Sequence, residues 1–303
     1  MTGIPYMGSK RKLAKDILLN ITQRHENITD FYDLFGGGGS VSFTAIRDYR
    51  FNVHYNELNS HIYKLVEYLK NNKTLEPKFY EWVTREEFFN QINTPNNLAT
   101  WYSGFVMSCW SFGNNSEKGY LYGKDIENLK RLAHQFIVFG CLDSMKEIGV
   151  NIPQLLDIDD IQKRRVLFCS HIKTENKERF DIQNLERMVQ LERIQNLQNL
   201  QNLQIYNSSY ENVQIKGDNP IIYCDIPYKG AETYKEGGFN HERFYDWFNE
   251  CEYPVYISEY NAPFKEVFAF KHRSSLSATN NKKQVVEKIF WNGKGSIIKN
   301  TLF

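Results

Sequence analysis

The sequence has few cysteines, and none of them fall into an arrangement that would build a framework. Cys109, Cys141, Cys169, Cys224 and Cys251 are odd in number, widely spaced and free of paired metal-ligand spacing. They read as reduced core thiols in a cytoplasmic protein rather than as disulfides or a zinc site. The seven histidines form no ligand motif either, which leaves metal catalysis without support. No stretch reads as a signal peptide, and no apolar run is long enough to span a bilayer. Charge of one sign is also missing. A net charge of +1 neither points to nucleic acid nor excludes it, because a DNA-binding face needs only a local excess.

What is present fits a soluble globular chain: 303 residues, 41% hydrophobic and 24% charged. That length exceeds the usual single-domain size, so one sheet domain carrying an inserted module is the expected organisation. Local basic clusters stand at Lys10 to Lys15, at Lys163-Arg164-Arg165 and at Lys282-Lys283. Each alone reads as solvated surface, but together with abundant aromatics they raise nucleic acid as a candidate partner.

Near the start, Asp33-Leu34-Phe35-Gly36-Gly37-Gly38-Gly39-Ser40 follows the aromatic stretch Phe31 to Phe35, read as a buried strand, and precedes Val41 to Arg47, which can begin a helix. Strand, glycine turn and helix let backbone approach a ligand closely. Val41 stands where a dinucleotide fingerprint needs its third glycine. A nucleoside-type cofactor is therefore favoured over a pyrophosphate, and nicotinamide use is disfavoured. Glu57 falls about 20 residues on, at the expected end of a second strand, where such folds place a ribose-binding acid. Four glycines alone form a mobile loop more often than a cofactor site; Glu57 in register reverses that reading toward a cofactor site.

Far downstream, Asp225-Ile226-Pro227-Tyr228 follows Pro220 to Cys224, a β-branched apolar run that suits a central strand. Asp225 then sits at the strand's carboxyl end, where open α/β sheets place their sites. A carboxylate and the next carbonyl accept both hydrogens of an exocyclic amine, and Tyr228 offers a stacking face. An Asp-x-Pro turn that simply ends a strand is the alternative.

These residues resemble the Dam-type DNA adenine methyltransferases, which methylate N6 of adenine with S-adenosylmethionine. Pro5-Tyr6-Met7-Gly8-Ser9-Lys10 is similar to that family's N-terminal cofactor motif, Asp33 to Ser40 to its glycine motif, Glu57 to its ribose-binding acid, and Asp225 to Tyr228 to its catalytic motif. Tyr256 to Asn261 and Arg273-Ser274-Ser275-Leu276-Ser277, running on to Glu287, extend the likeness. The resemblance covers both ends of the chain, with the motifs in the family's order. It implies that Tyr6, Lys10, Asp33, Glu57 and Asp225 serve the cofactor, with backbone from Phe35 through Gly36 to Gly38 lining the pocket, and that Asp225, Ile226, Pro227 and Tyr228 are catalytic. It also implies double-stranded DNA as partner, acted on by a monomer or weak dimer, with a companion restriction enzyme left open.

Lys10 has an independent argument. Ser9 is expected to cap a helix with Leu13, Ile17 and Ile21 on its apolar face, crowding Lys10, Arg11 and Lys12 into the first turn. Cations there oppose the helix dipole. An anionic partner, a cofactor carboxylate or a DNA phosphate, accounts for them better than a solvated face does.

The family's usual catalytic tetrapeptide is Asp-Pro-Pro-Tyr, and Ile226 replaces its first proline. The main-chain carbonyl survives; the rigidity lost is worth about 0.4–1 kcal/mol, or at most roughly fivefold in rate. Hydrogen bonds from the amine to Asp225 and to the Ile226 carbonyl would reduce its conjugation with the ring. Direct in-line attack on the methyl then needs no cysteine nucleophile, and most of the gain comes from positioning. The base must be flipped out of the duplex. Whether Asp225 serves as acceptor or as general base stays open.

Between Ser60 and about Phe180 the signatures fade, and a recognition module is expected there. Its distinctive stretch, Trp101 to Gly123, resembles an aromatic, glycine and asparagine loop of the family, which assigns DNA contact to Asn114, Asn115 and Lys118. Asparagine reads adenine by a bidentate pair; a turn-rich loop over a core is the alternative. Three copies of Asn-Leu-Gln between Leu191 and Asn207 imitate a leucine-rich repeat, but one copy cannot make a solenoid. A helix from about Ile182 to Asn202, packing over a broad face, and a short strand from Ile205 to Asn207 beside the sheet are expected instead.

The expected fold is α/β, a Rossmann-like S-adenosylmethionine-dependent methyltransferase fold with a mostly parallel sheet. Residues 1–60 and 181–303 form its catalytic domain, and 61–180 an inserted, mainly helical target-recognition domain. The expected function is N6-adenine methylation of a specific duplex DNA sequence. The alternatives are a DNA-binding protein that keeps the fold with little catalysis, and an enzyme acting on cytosine N4 or an RNA base.

Overall fold

The computed structural model describes residues 2–172, 180–228, 238–273 and 284–295. In chain order they form α1 (Ala14–Thr22), β1 (Asp30–Asp33), α2 (Ser40–Asp48), β2 (Asn52–Asn56), α3 (Ser60–Asn71), α4 (Arg85–Ile92) and α5 (Trp101–Cys109). There follow α6 (Lys124–Phe139), α7 (Leu142–Glu147), α8 (Ile161–His171), α9 (Gln183–Gln195), β3 (Gln204–Tyr206) and β4 (Pro220–Cys224). The last elements are α10 (His241–Glu250), β5 (Val255–Glu259), β6 (Lys265–Arg273) and β7 (Gln284–Trp291). Two compact units divide the chain: one holds Lys10–Asn59 and the described residues from Leu197 onward, the other Gly3–Ser9 and Ser60–Asn196.

The first unit is a seven-stranded α/β sheet in the order β3-β2-β1-β4-β5-β7-β6. The pairs from β3 through β5 are parallel, and β7 runs antiparallel to both β5 and β6. Strands β1, β4 and β5 are buried along their whole length, which explains why β4 reads as a continuous rather than an alternating apolar run. Strand order reverses between β1 and β4, the switch point at which open sheets leave a crevice beyond their carboxyl ends. On one face, Phe244 and Phe248 of α10 join Tyr32, Leu34, Ile222, Cys224, Ile226, Val255, Ile257 and Phe290 in a core. Full burial of each such side chain contributes about 1.5–3 kcal/mol. α2 packs against β1 and β2.

The second unit is helical. α3 and α5 cross so closely at Gly104 that a Cβ there would stand 2.1 Å from the His61 carbonyl oxygen, and a Ser103 hydroxyl lies 2.6 Å from His61 Nδ1. Thr100 and Ser103 form a capping box at the start of α5. Trp82, Trp110, Tyr122 and His134 make an aromatic cluster, and the Tyr122 hydroxyl donates to Asn184 Oδ1 of α9 at 2.7 Å.

Several local expectations are corrected. α1 starts at Ala14, with Leu13 at its cap position and no side-chain cap. Ser9 therefore does not cap it, and Lys10 precedes the helix. Trp101 to Cys109 is helix rather than loop. The helix expected to reach Asn202 ends at Gln195, since Asn199 adopts a left-handed conformation (φ 63°) that starts a separate short turn. Leu197 and Leu200 thus lie beyond α9, and the broad helical face they implied does not form. Only Cys109 and Cys224 are core thiols, the other three being partly exposed. Arg164 is buried, donating to the carbonyls of Ile137 and Ile158, so it is withdrawn from the solvated basic surface on which Lys163 remains exposed. Lys282-Lys283 and Ser274 to Ser277 lie outside the described residues.

Candidate active site

The carboxyl ends of β1, β2 and β4 carry the three motifs found in the sequence. β1 runs into the glycine turn, whose geometry depends on missing side chains. A Cβ on Gly36 would stand 2.2 Å from the Tyr55 ring, and Gly39, at φ 68°, would place one 2.3 Å from Phe43. Gly37 also has positive φ, 47°, a conformation costly for residues with a Cβ. The Gly36 N–H donates to the Asn56 carbonyl at 2.8 Å, and the Tyr55 hydroxyl donates to the Gly37 carbonyl at 2.7 Å. Phe35 stacks on Tyr210 and meets Phe239 and Phe244 edge-on. Gly38 is buried.

Glu57 follows β2 directly, and its buried carboxylate braces this turn. Oε2 accepts from the Gly37 N–H at 2.7 Å, and Oε1 from the Asn59 N–H at 2.8 Å. Burial nevertheless leaves its pKa above the ordinary glutamate value. Leu58 is 69% exposed beside it. At the end of β1, Asp33 is buried and accepts from the Ser42 hydroxyl at 2.7 Å. Burial, reinforced by the charges of Asp225 and Glu57, pushes its pKa up to about 7.

Asp225 continues from β4 with its side chain 23% exposed, and Lys10 Nζ lies 2.7 Å from its Oδ1. Burial raises the Asp225 pKa, and Glu287 adds to the rise while Lys10 opposes it. Lys10 is itself buried, also lies 3.5 Å from Glu287 Oε1, and sits 4.9 Å from the Tyr228 ring centroid. Burial works against its charge, and the two carboxylates outweigh that effect, holding its pKa above the usual lysine value. The anionic partner expected for Lys10 is thus supplied by the protein. The Tyr228 hydroxyl donates to Glu287, with a longer approach of 3.5 Å to Asp225. Tyr260 meets the Tyr228 ring edge-on at 4.5 Å. A ring nitrogen of His241 donates to the Pro227 carbonyl at 2.8 Å. The Ile226 side chain is 2% exposed, within the core under α10.

In this unit the structure brings together Lys10, Asp33, Phe35, Gly36, Gly38, Glu57 and Asp225 to Tyr228. Tyr6 is half-buried and belongs to the second unit, as do the residues assigned to DNA contact. There, Ser111 bridges Tyr120 across a tight loop, and Arg187 donates to the carbonyls of Cys109 and Ser111 at its base. Asn115 turns inward: its amide donates to Met7 Sδ at 3.3 Å and its Oδ1 accepts from the Glu117 N–H. Asn114 (φ 57°) lines a polar cleft of about 230 Å³ with Pro5, Asp181, Gln183, Glu186, Arg187 and Gln190. Lys118 is exposed, as is Phe112.

Glu287 was named only as the end of a similar stretch, and Ser42, His241 and Tyr260 were not singled out for a role. The available signal for Glu287 is an acid within the apolar run Val285 to Trp291, on a strand whose neighbours are valine, isoleucine and aromatic residues.

Residues 6–135 match the model of the D12 class N6 adenine-specific DNA methyltransferases. The match covers less than half of the chain and supports a Dam-type adenine methyltransferase family for it. No curated protein matches it. The matched residues include the glycine turn and Glu57; the Asp225 motif lies beyond them, and parallel pairing of β1 with β4 sets it beside the turn. The chain thus carries its acids on adjacent strand ends. Among the described residues there is no group of His, Cys, Asp and Glu able to hold a metal ion, and no helix is long and apolar enough to cross a membrane.

Proposed function

We propose that this methyltransferase transfers a methyl group from S-adenosylmethionine to N6 of an adenine flipped out of a specific duplex DNA sequence. The observation that carries this reading is the meeting of the glycine turn, Glu57 and Asp225 at the β1/β4 switch point.

The residues fit such a donor. The Glu57 carboxylate accepts from the Gly37 and Asn59 N–H groups, with the Leu58 N–H also close, and a carboxylate's two oxygens offer about four acceptor sites, so capacity remains for a ribose hydroxyl. Leu58 offers an exposed apolar side chain beside it, and the backbone of the glycine turn can be approached closely. Asp33, Glu57, Asp225 and Glu287 bring more negative charge than Lys10 neutralises, which suits a cationic ligand. When bound, S-adenosylmethionine supplies an electrophilic methyl on a sulfonium.

The chain's own residues do the rest. Asp225 and the main-chain carbonyl of Ile226 accept the two hydrogens of the amine, weakening its conjugation and aiming its lone pair. Tyr228 stacks on the ring. Asp225 is also placed to take the proton that N6 would shed on bonding to the methyl, as the methyl–sulfur bond breaks and its electron pair stays on sulfur to leave a neutral thioether. Extrusion of the base from the stack costs a few kcal/mol. The second unit recognises the target, with Lys118 and Phe112 as the outward-facing parts of its braced loop.

The test is transfer of labelled methyl from S-adenosylmethionine to unmethylated duplex DNA, with nucleoside analysis of the product and Asp225→Ala as control. N6-methyladenine that disappears in the control is the expected result. Bound DNA with no transfer would overturn the reading in favour of a binding protein.

A further inference from the structure

We propose that Glu287, on β7, is a positioning residue that receives Lys10 when the substrate amine takes over Asp225, and that holds the Tyr228 ring while it does so. The inference rests on the functional reading above and deepens it.

Asp225 has to offer a carboxylate oxygen to the amine, yet its Oδ1 already lies 2.7 Å from Lys10 Nζ. An ammonium this buried cannot simply be released, because a buried charge stripped of its partner is strongly destabilising. Glu287 provides the second position. Its side chain is 3% exposed and its Oε1 is 3.5 Å from the same Nζ, so a shift of roughly 1 Å along a flexible side chain exchanges one carboxylate for the other. Positive charge stays paired throughout, and Asp225 is freed without opening the site to water.

The same carboxylate accepts the Tyr228 hydroxyl. Tyr228 carries Lys10 over its ring and packs against Tyr260, so one acid fixes both the cation and the stacking surface. Glu287 can do this because β7 runs antiparallel to β5, with Ser258 opposite Ile289 and Glu259 opposite Lys288. That register delivers an acid from late in the chain to residues that begin it.

Substitution tests the hand-off directly. Glu287→Gln keeps an acceptor for Tyr228 and removes the anion that receives Lys10. The expected result is a fall in kcat of about tenfold to a hundredfold, with KM for DNA changed much less. The acid limb of the kcat profile should also move to lower pH, since one of the charges raising the Asp225 pKa is gone. Among the described residues, the titratable groups facing Asp225 are Asp33 from β1, Tyr223 and Cys224 from β4, Lys10 ahead of α1, Tyr228, Tyr260 after β5 and Glu287 from β7. Only the last is changed. Glu287→Asp keeps the charge and should restore most of kcat together with the wild-type acid limb, and a melting curve for each variant reports folding.

A Lys10→Met background completes the cycle: with no ammonium to receive, Glu287→Gln should there cost little more. Full kcat with an unmoved acid limb in Glu287→Gln would overturn the proposal. So would equal losses with and without Lys10, which would make Glu287 a packing residue. If the wild-type protein forms no N6-methyladenine in this assay, the functional reading fails and the hand-off fails with it; wild-type product with an indifferent Glu287 removes the hand-off alone.

Discussion

The Gly37 N–H donates to Glu57 Oε2 at 2.7 Å, so the acid that follows β2 holds the turn that follows β1. The other oxygen holds Asn59. Glu57 is therefore structural as well as the proposed ribose acceptor, and its removal should be felt twice. Glu57→Ala is expected to lose about 1–3 kcal/mol of stability for each buried N–H left without its partner. It should also weaken S-adenosylmethionine binding by about tenfold or more. Glu57→Gln keeps one acceptor and should fall between. Thermal melts and calorimetric titration check the two effects separately; a variant that loses affinity at full stability would show that the turn is held by other bonds.

The Tyr55 ring sets a second constraint on the same turn. Because a Cβ on Gly36 would stand 2.2 Å from it, Gly36→Ala must displace a ring whose hydroxyl is bonded to the Gly37 carbonyl. A cost of about 1–3 kcal/mol is expected from this overpacking, together with loss of donor binding. Urea unfolding of Gly36→Ala, alone and with Tyr55→Leu, measures it. The double variant should recover part of the stability and none of the hydroxyl's bond.

These features were legible because parallel sheets announce themselves. Pro220 to Cys224 is buried on both faces and so reads as an unbroken apolar stretch, Phe31 and Tyr32 mark the core of β1 between two aspartates, and a parallel sheet places its chemistry at the carboxyl ends. What stayed hidden depends on pairing between distant segments. Glu287 reaches Tyr228 and Lys10 only through the antiparallel register of β7, which nothing local specifies. The start of α1 was misplaced because Ser9 is a good cap in isolation, while the helix begins after a turn in which the Lys10 carbonyl accepts from the N–H groups of Leu13 and Ala14. Arg164 looked like surface charge because sequence does not show the Ile137 and Ile158 carbonyls that take it inside.

Asp33 predicts a pH dependence of stability. Its pKa, raised to about 7 in the folded chain, compares with about 3.9 when unfolded, so between those values the native state keeps a proton that the unfolded state releases. The contribution of Asp33 to stability is therefore greatest below about pH 4, falls as pH rises through that window, and levels off above about pH 7. Asp33→Asn cannot titrate and still accepts from Ser42. Measured by urea midpoints from pH 4 to 8, its stability relative to wild type should climb through the window and then hold constant. Parallel curves for the two proteins would show that Asp33 ionises normally despite its burial.

Ile226 tests how far the departure from the family's tetrapeptide matters. From sequence alone it costs rigidity; in the structure its side chain is buried among Leu34, Phe244 and Phe248, so it also contributes packing. Ile226→Pro should therefore stiffen the catalytic turn and loosen the core at once. Methyl transfer per folded molecule is expected to change by no more than roughly fivefold. The variant should melt lower, and Ile226→Ala lower still, by about 2–5 kcal/mol. Parallel measurement of kcat and melting temperature separates the two effects. Recovery by Ile226→Pro from near-zero activity would mean that the natural residue has disabled the enzyme, and a large loss in Ile226→Pro would mean that the packing under α10, more than the stiffness of the turn, sets the position of the Ile226 carbonyl.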